Sequence, residues 1–136
     1  MADEMKIAVV VRDDLATWQK LNVTAFVCSG IGTALPEVVG SPYEDGSGVE
    51  YHAMFGLPVL VYATDPGGLR RAFDRAQSRG LRVAVYTDEL FKTGNDIDNR
   101  AAVAAVPTDA LQIAGFAVAG ERRRVDKALD KLRLHP

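Results

Sequence analysis

Three observations in the sequence predict an α/β fold with a four-stranded sheet, in a single domain covering residues 1–136. Short, unbroken, β-branched runs recur at Lys6 to Val11, Val59 to Thr64, Leu81 to Tyr86 and Ile113 to Ala119, and strands buried on both faces read in this way. Stretches with helical spacing alternate with them. Glycine, proline and aspartate mark the changes of pattern.

The first strand, Lys6 to Val11, is bounded by charge. From Trp18 the apolar positions Trp18, Leu21, Ala25, Cys28 and Gly32 fall at helical spacing, with Val23, Phe26, Val27 and Ile31 as a second row. Together they predict a helix with a wide apolar face that ends near Gly30 and Gly32, where a left-handed turn costs least. Residues 36–48 carry prolines, glycines and serines and read as a loop, followed by an edge segment at Val49 to Met54. After the strand Val59 to Thr64, Asp65 is placed to cap a helix with Pro66 in its first turn. Leu69, Phe73 and Ala76 mark its buried face, and Gly80 stops it. The strand Leu81 to Tyr86 completes a βαβ unit, which predicts that it runs parallel to Val59 to Thr64. A polar turn leads to a short helix, Asp98 to Ala105, ended by Pro107. The last strand, Ile113 to Ala119, contains Gly115. A final helix is expected from Glu121 to Leu134, with Val125, Leu129 and Leu132 inward and Arg122, Arg123, Arg124, Lys127 and Lys131 outward.

Composition removes several classes of function. With 136 residues, 48% apolar and 25% charged, the chain can bury a core without disulfides or a structural metal. A net charge of -2 argues against duplex DNA as a partner, since that binding rests on neutralising phosphates. Cys28 is the one cysteine, so neither an internal disulfide nor a Cys-rich zinc site can form. His52 and His135 belong to no metal-spacing motif, and no metal is assigned. No apolar run approaches the roughly 20 residues that cross a bilayer, and no basic, apolar leader precedes the first strand. A cytoplasmic location is expected, with no membrane partner. Neither G-x-G-x-x-G nor G-x-x-x-x-G-K-[ST] occurs, so no cofactor is assigned.

Ligands in open α/β sheets bind beyond the carboxyl ends of the parallel strands. That rule selects Arg12 to Thr24 and Tyr86 to Asn99 as the functional end. The second segment is the richer: Asp88, Glu89, Lys92, Thr93, Asn95, Asp96, Asp98, Asn99 and Arg100 crowd into thirteen residues. A polar segment of that length directly after a buried strand is more often a site than a plain connection. Cys28 reads as a small buried hydrophobe rather than a nucleophile.

The run Lys6 to Leu15, followed by Trp18 to Phe26, Phe91 to Asp96 and Asn99-Arg100, resembles a bacterial family known as domain of unknown function two thousand. The resemblance covers essentially the whole chain. That family is similar in fold to the type II (archaeal and eukaryotic) peptidyl-tRNA hydrolases, which implies a mixed four-stranded sheet flanked by helices. Those hydrolases carry Lys-Gly-Lys-x-Ala-x-Gln-x-x-His-Ala at the first helix and Asp-Ala-Gly-x-Thr after a later strand. Lys20 falls on the first lysine, whereas Asn22 stands at the second and Ser29 at the histidine. Asp88 matches the aspartate, whereas Glu89, Leu90 and Lys92 replace alanine, glycine and threonine.

Three functions are open at this level. A hydrolase acting on an ester such as peptidyl-tRNA would use Asp88 to orient water and Lys20 to stabilise developing negative charge. A binding module would hold a small anionic or nucleotide-like ligand through Asn22, His52, Lys92, Thr93, Asn95 and Asn99, with Lys20 as a further contact. A structural homodimer would associate through the apolar segment Val49 to Leu57. The basic stripe of Arg122, Arg123, Arg124 and Lys127 reads as the wet face of a helix, with RNA contact as the lesser alternative.

Overall fold

The computed structural model describes residues 4–136. The residues before Glu4, on which the reading of no leader rests in part, lie outside the described residues. The chain order is β1 (Met5–Arg12), α1 (Thr17–Ala34), β2 (Tyr43–Glu44), β3 (Glu50–Tyr51), β4 (Val59–Thr64), α2 (Pro66–Ser78), β5 (Val83–Thr87), α3 (Asp96–Ala104), β6 (Ile113–Glu121), α4 (Arg122–Ala128) and β7 (Arg133–Leu134). The central sheet has the order β5-β6-β1-β4-β7 and is mixed: β1 pairs parallel with β4, and β6 pairs antiparallel with both β1 and β5.

The unbroken apolar runs mean what their pattern implies, because both faces of the sheet are covered. Ala8 and Val10 face one core with Phe73, Phe116 and Val125, under α2 and α4. Ile7, Val9 and Val11 face the other with Val23, Val27 and Ile31 of α1. Asp65 caps α2 by accepting from the Gly68 N–H at 2.7 Å. Gly80 stops that helix with a φ of 71°, a region open to glycine.

Several expectations are corrected. The sheet has five strands, not four, because the final helix ends at Ala128. The chain then reverses through Lys131, at a φ of 68°, and lays Arg133–Leu134 against Tyr62 and Ala63 as an edge strand. Leu129 and Leu132 pack on the core as their spacing suggests, but from the turns after α4 rather than from a continued helix. The strands β4 and β5 run in the same direction but are not neighbours, since β1 and β6 lie between them. The segment at Val49 to Met54 does not join the main sheet and forms a small hairpin with Tyr43–Glu44. The helix α3 begins at Asp96 rather than Asp98, because Asn95 takes the cap position and accepts from the Asp98 N–H at 2.9 Å.

The helix α1 departs most from its sequence reading. It continues past Gly30 and Gly32 to Ala34. Gly30 is a packing residue there, since a Cβ would lie 2.8 Å from the Ala84 Cβ of β5. Of the two apolar rows, only Val23, Val27 and Ile31 are buried; Trp18, Leu21 and Phe26 are 62%, 67% and 54% exposed. Both rows have the correct period, and periodicity alone does not say which of two adjacent rows faces the sheet.

Lys6, inside the first apolar run, is buried. Its ammonium donates to the Tyr62 hydroxyl and to the Asp126 carboxylate, both at 2.6 Å, which ties α4 to β1 and β4. Burial works to lower the Lys6 pKa, but the bonds to Asp126 and Tyr62 outweigh it and hold the value above the ordinary lysine range. Asp126→Ala leaves this ammonium with one partner and is expected to cost about 1.5–3 kcal/mol. Lys6→Met removes the buried charge and costs less. Urea denaturation of both variants checks this order. A raised folded pKa stabilises the protein fully below the unfolded lysine value, about 10.4, and the contribution is lost as pH rises through the folded value. The wild-type midpoint therefore falls above that pH more steeply than that of Lys6→Met.

Candidate functional site

The carboxyl ends of β1 and β5 are joined by one guanidinium. Arg12, whose side chain is 14% exposed, donates to Asp88 at 2.8 Å, to the Ile113 carbonyl at 2.9 Å and to Asp14 at 2.6 Å. Asp88 is thus the anchor of a strand-bridging ion pair. A register shift at Tyr86/Thr87 lets β5 turn out of the sheet beside this pair and start the polar segment.

Between that segment and α1 lies a cleft of about 410 Å³. One wall is the exposed flank of α1, where Trp18, Asn22 and Phe26 follow each other at single-turn spacing. The opposite wall is Tyr86 and Phe91, and the rim carries Thr93, Asn95 and Asn99. The four rings form a chain: Phe26 to Tyr86 at 5.7 Å, Tyr86 to Phe91 at 5.0 Å, and Phe91 edge-on to Trp18 at 6.0 Å between centroids. Such pairs are stable beyond the area they bury. They keep the cleft walls apolar and fixed.

The polar groups of the cleft leave a defined set of vacancies. The Asn22 amide nitrogen donates to the Tyr86 hydroxyl at 3.2 Å, which leaves Asn22 Oδ1 as an acceptor and the Tyr86 O–H as a donor. Burial raises the Tyr86 pKa against the opposing bond from Asn22, so the phenol stays protonated at neutral pH. Thr93 donates to Asn99 Oδ1, which leaves the Asn99 amide nitrogen as a second donor. Among the described residues, no lysine, arginine or histidine lines the cleft; Asp96 is the one charged residue on it and pairs with Arg100 at 2.8 Å.

Of the residues singled out by sequence, Asn22, Thr93, Asn95 and Asn99 share this cleft. Lys20 lies on the other flank of α1, with its ammonium 3.2 Å from His135 Nε2. It shares no cavity with Asp88. Lys92 is exposed and 4.0 Å from Glu89. His52 lies by the β2–β3 hairpin, in a shallow recess with Glu50 and Tyr51. Cys28 is half-buried, and burial pushes its thiol pKa up, away from thiolate chemistry. The aromatic walls are what the sequence reading missed, because Trp18 and Phe26 were assigned to the core. The available signal was Trp18, Asn22 and Phe26 at i, i+4 and i+8, an amide between two rings on one helix flank.

The model of the family described as protein of unknown function (DUF2000) matches residues 5–136. The chain belongs to this family. The DUF2000 match takes in the whole cleft, from Trp18 to Asn99. A solved structure of a protein of unknown function from Agrobacterium tumefaciens str. C58 is similar over 98% of this chain and 98% of that one, at 41% identity and a TM-score of 0.94. No curated protein matches the chain. No helix among the described residues is long and apolar enough to cross a membrane.

Proposed function

We propose that this DUF2000 protein is a binding module whose cleft between α1 and the segment after β5 takes an uncharged, planar, hydrogen-bonding group of the nucleobase type. The observation that carries this reading is the lining itself: four aromatic rings, an amide acceptor at Asn22, donors at Tyr86 and Asn99, and, among the described residues, no cation. Rings provide a face for a heterocycle to stack on, at about 1–3 kcal/mol per base. An amide beside a hydroxyl matches the alternating donors and acceptors of a base edge. The volume lies within the range of small-ligand sites. Of the two ligand classes the sequence allows, the absence of a basic lining residue favours the nucleotide-like one over a small anion.

A thermal-shift comparison of nucleosides with simple sugars and inorganic phosphate tests the proposal. A nucleoside at a hundredfold excess over its Kd stabilises the fold by about 2.7 kcal/mol, several degrees in Tm, whereas phosphate and sugars leave Tm unchanged. Asn22→Leu, at a half-buried position, abolishes the shift and keeps the unliganded stability within about 1 kcal/mol of wild type. A panel of nucleosides that moves Tm no more than the sugars do would sink the reading.

A likeness in fold to the type II peptidyl-tRNA hydrolases is part of the same proposal, supported by the mixed sheet with helices on both faces. The hydrolase reading itself draws less support, because Asp88 is engaged by Arg12 and Lys20 by His135. Hydrolysis of a peptidyl-tRNA by wild type above an Asp88→Asn control would favour it instead.

A further inference from the structure

The charges of the chain are unevenly distributed. From Leu21 to Leu69 there is no lysine or arginine, and there are five carboxylates, Glu37, Glu44, Asp45, Glu50 and Asp65. Three of these lie on the β2–β3 hairpin, which projects as an arm: every residue of 40–52 is exposed. The arm is rooted by the Gly40 N–H on the Met54 carbonyl at 2.8 Å and the Gly56 N–H on the Val38 carbonyl at 2.7 Å, where Phe55 and Leu57 pack on the α1 core. Its turn is built by Asp45, whose carboxylate accepts from the Ser47 N–H at 2.9 Å, the Val49 N–H at 3.0 Å and the Tyr51 hydroxyl at 2.7 Å.

A two-stranded ribbon with no layer against it is marginally stable in water. Tyr43 lies opposite Tyr51, both half exposed, and Glu44 lies opposite Glu50, a like-charge pair that works against the hairpin. Among the described residues, neither glutamate has a cation within ion-pair distance. Two rings and two carboxylates set side by side suit guanidinium groups, which stack on aromatic faces and bind carboxylates through paired N–H donors.

Guanidinium groups are concentrated at the same end of the sheet. Met5 of β1 pairs with Glu121 of β6, and Ile7 pairs with Val59 of β4, so the start of α4 and the root of the arm share one end. Arg122, Arg123 and Arg124 open α4, and Arg124 donates to the Arg79 carbonyl after α2. Arg82 precedes β5 where that strand runs beside the end of β6. Against these five exposed arginines stand Glu4 and Glu121, beside Arg122 and Arg123. Among the described residues, no large exposed hydrophobic side chain lies in α2 or α4, so this surface offers charge rather than an apolar seat.

We infer that the arm docks on the arginine surface of a second copy of this chain, Glu44 and Glu50 accepting from the second copy's Arg122 and Arg123 and the tyrosine rings stacking on its guanidinium groups. Charge complementarity selects this occupant, since one chain carries both the cation-free arm and the arginine cluster. With both at one end of the molecule, a two-fold axis seats both arms at once and the assembly closes as a dimer. The aromatic cleft lies at the opposite end, beyond the carboxyl ends of β1 and β5, and takes no part.

Sedimentation velocity of the full chain at about 100 µM tests this. Wild type is expected to be a dimer in about 0.1 M salt, with a Kd at least tenfold weaker in about 1 M, as the screening length falls from about 10 Å to about 3 Å. Two charge-reversed variants, Glu44→Lys with Glu50→Lys and Arg122→Glu with Arg123→Glu, change exposed side chains only and should keep the wild-type circular dichroism. Each alone should be monomeric. An equimolar mixture should return the dimer, because the reversed arm meets the reversed surface and the native arm the native one. A wild-type monomer in about 0.1 M salt overturns the inference, as does a dimer that persists in either folded variant, or a mixture that stays monomeric. None of these outcomes bears on nucleoside binding.

Discussion

Phe116→Ala is expected to lower the unfolding free energy by about 3–5 kcal/mol, the range for deleting a fully buried aromatic side chain. Phe116 is completely inaccessible, in β6 between β5 and β1, and packs edge-on against Phe73 of α2 with centroids 6.0 Å apart. Neither side has room to close the gap, since the strand is held on both edges and α2 is fixed by its Asp65 cap. Domains of this size have about 5–15 kcal/mol of stability, so the variant should be close to the limit of folding at 37 °C. Urea denaturation is the check. The midpoint falls while the slope is unchanged if the loss is a cavity rather than a change of unfolded state. A loss under about 1 kcal/mol would contradict the packing described for this face.

The second large effect is expected at Arg12. Arg12→Met removes the guanidinium that connects the ends of β1, β5 and β6, and leaves the Asp88 carboxylate and the Ile113 carbonyl without it. A fully buried pair broken in this way costs about 3–5 kcal/mol. Asp88 is 33% exposed, so water recovers part of its solvation and about 2–3 kcal/mol is expected. The consequence for function follows from position. Asp88 begins the segment that carries Phe91, Thr93 and Asn99, so loss of its anchor loosens one wall of the cleft. Hydrogen exchange should show amides 89–99 opening faster in Arg12→Met than the amides of β1. If all amides change together, the ion pair supports the global fold only.

Much of this fold is legible in the sequence, and the reasons for the failures are physical. Each apolar run became a strand because burial on both faces selects against alternation, and Asp65-Pro66 and Gly80 acted as cap and stop because their backbone preferences are local. Strand neighbours are different. The βαβ pattern of β4, α2 and β5 fixes a common direction, but nothing local reports that β1 and β6 lie between those strands. The edge strand Arg133–Leu134 escaped for a related reason: two residues carry no periodicity, and Lys131 adopts a left-handed turn that its side chain does not advertise. At the site, Asn22, Thr93, Asn95 and Asn99 were readable as polar residues beyond strand ends. The walls were not, because Trp18 and Phe26 have the spacing of core residues, and the helix rotation that turns them outward is set by contacts with distant strands, such as Gly30 with Ala84 and Val23 with Gly115.

The cleft between α1 and the segment after β5 is proposed as a binding site for a nucleobase-like group. Backbone and side-chain amide NMR spectra of the labelled protein, recorded during titration with adenosine and guanosine, test it most directly. Saturable shifts are expected in the side-chain amides of Asn22 and Asn99, with backbone changes at 86–99 and none at His52 or Lys20. Saturable binding that leaves both side-chain amides unmoved, or no binding by either nucleoside at millimolar concentration, would contradict it.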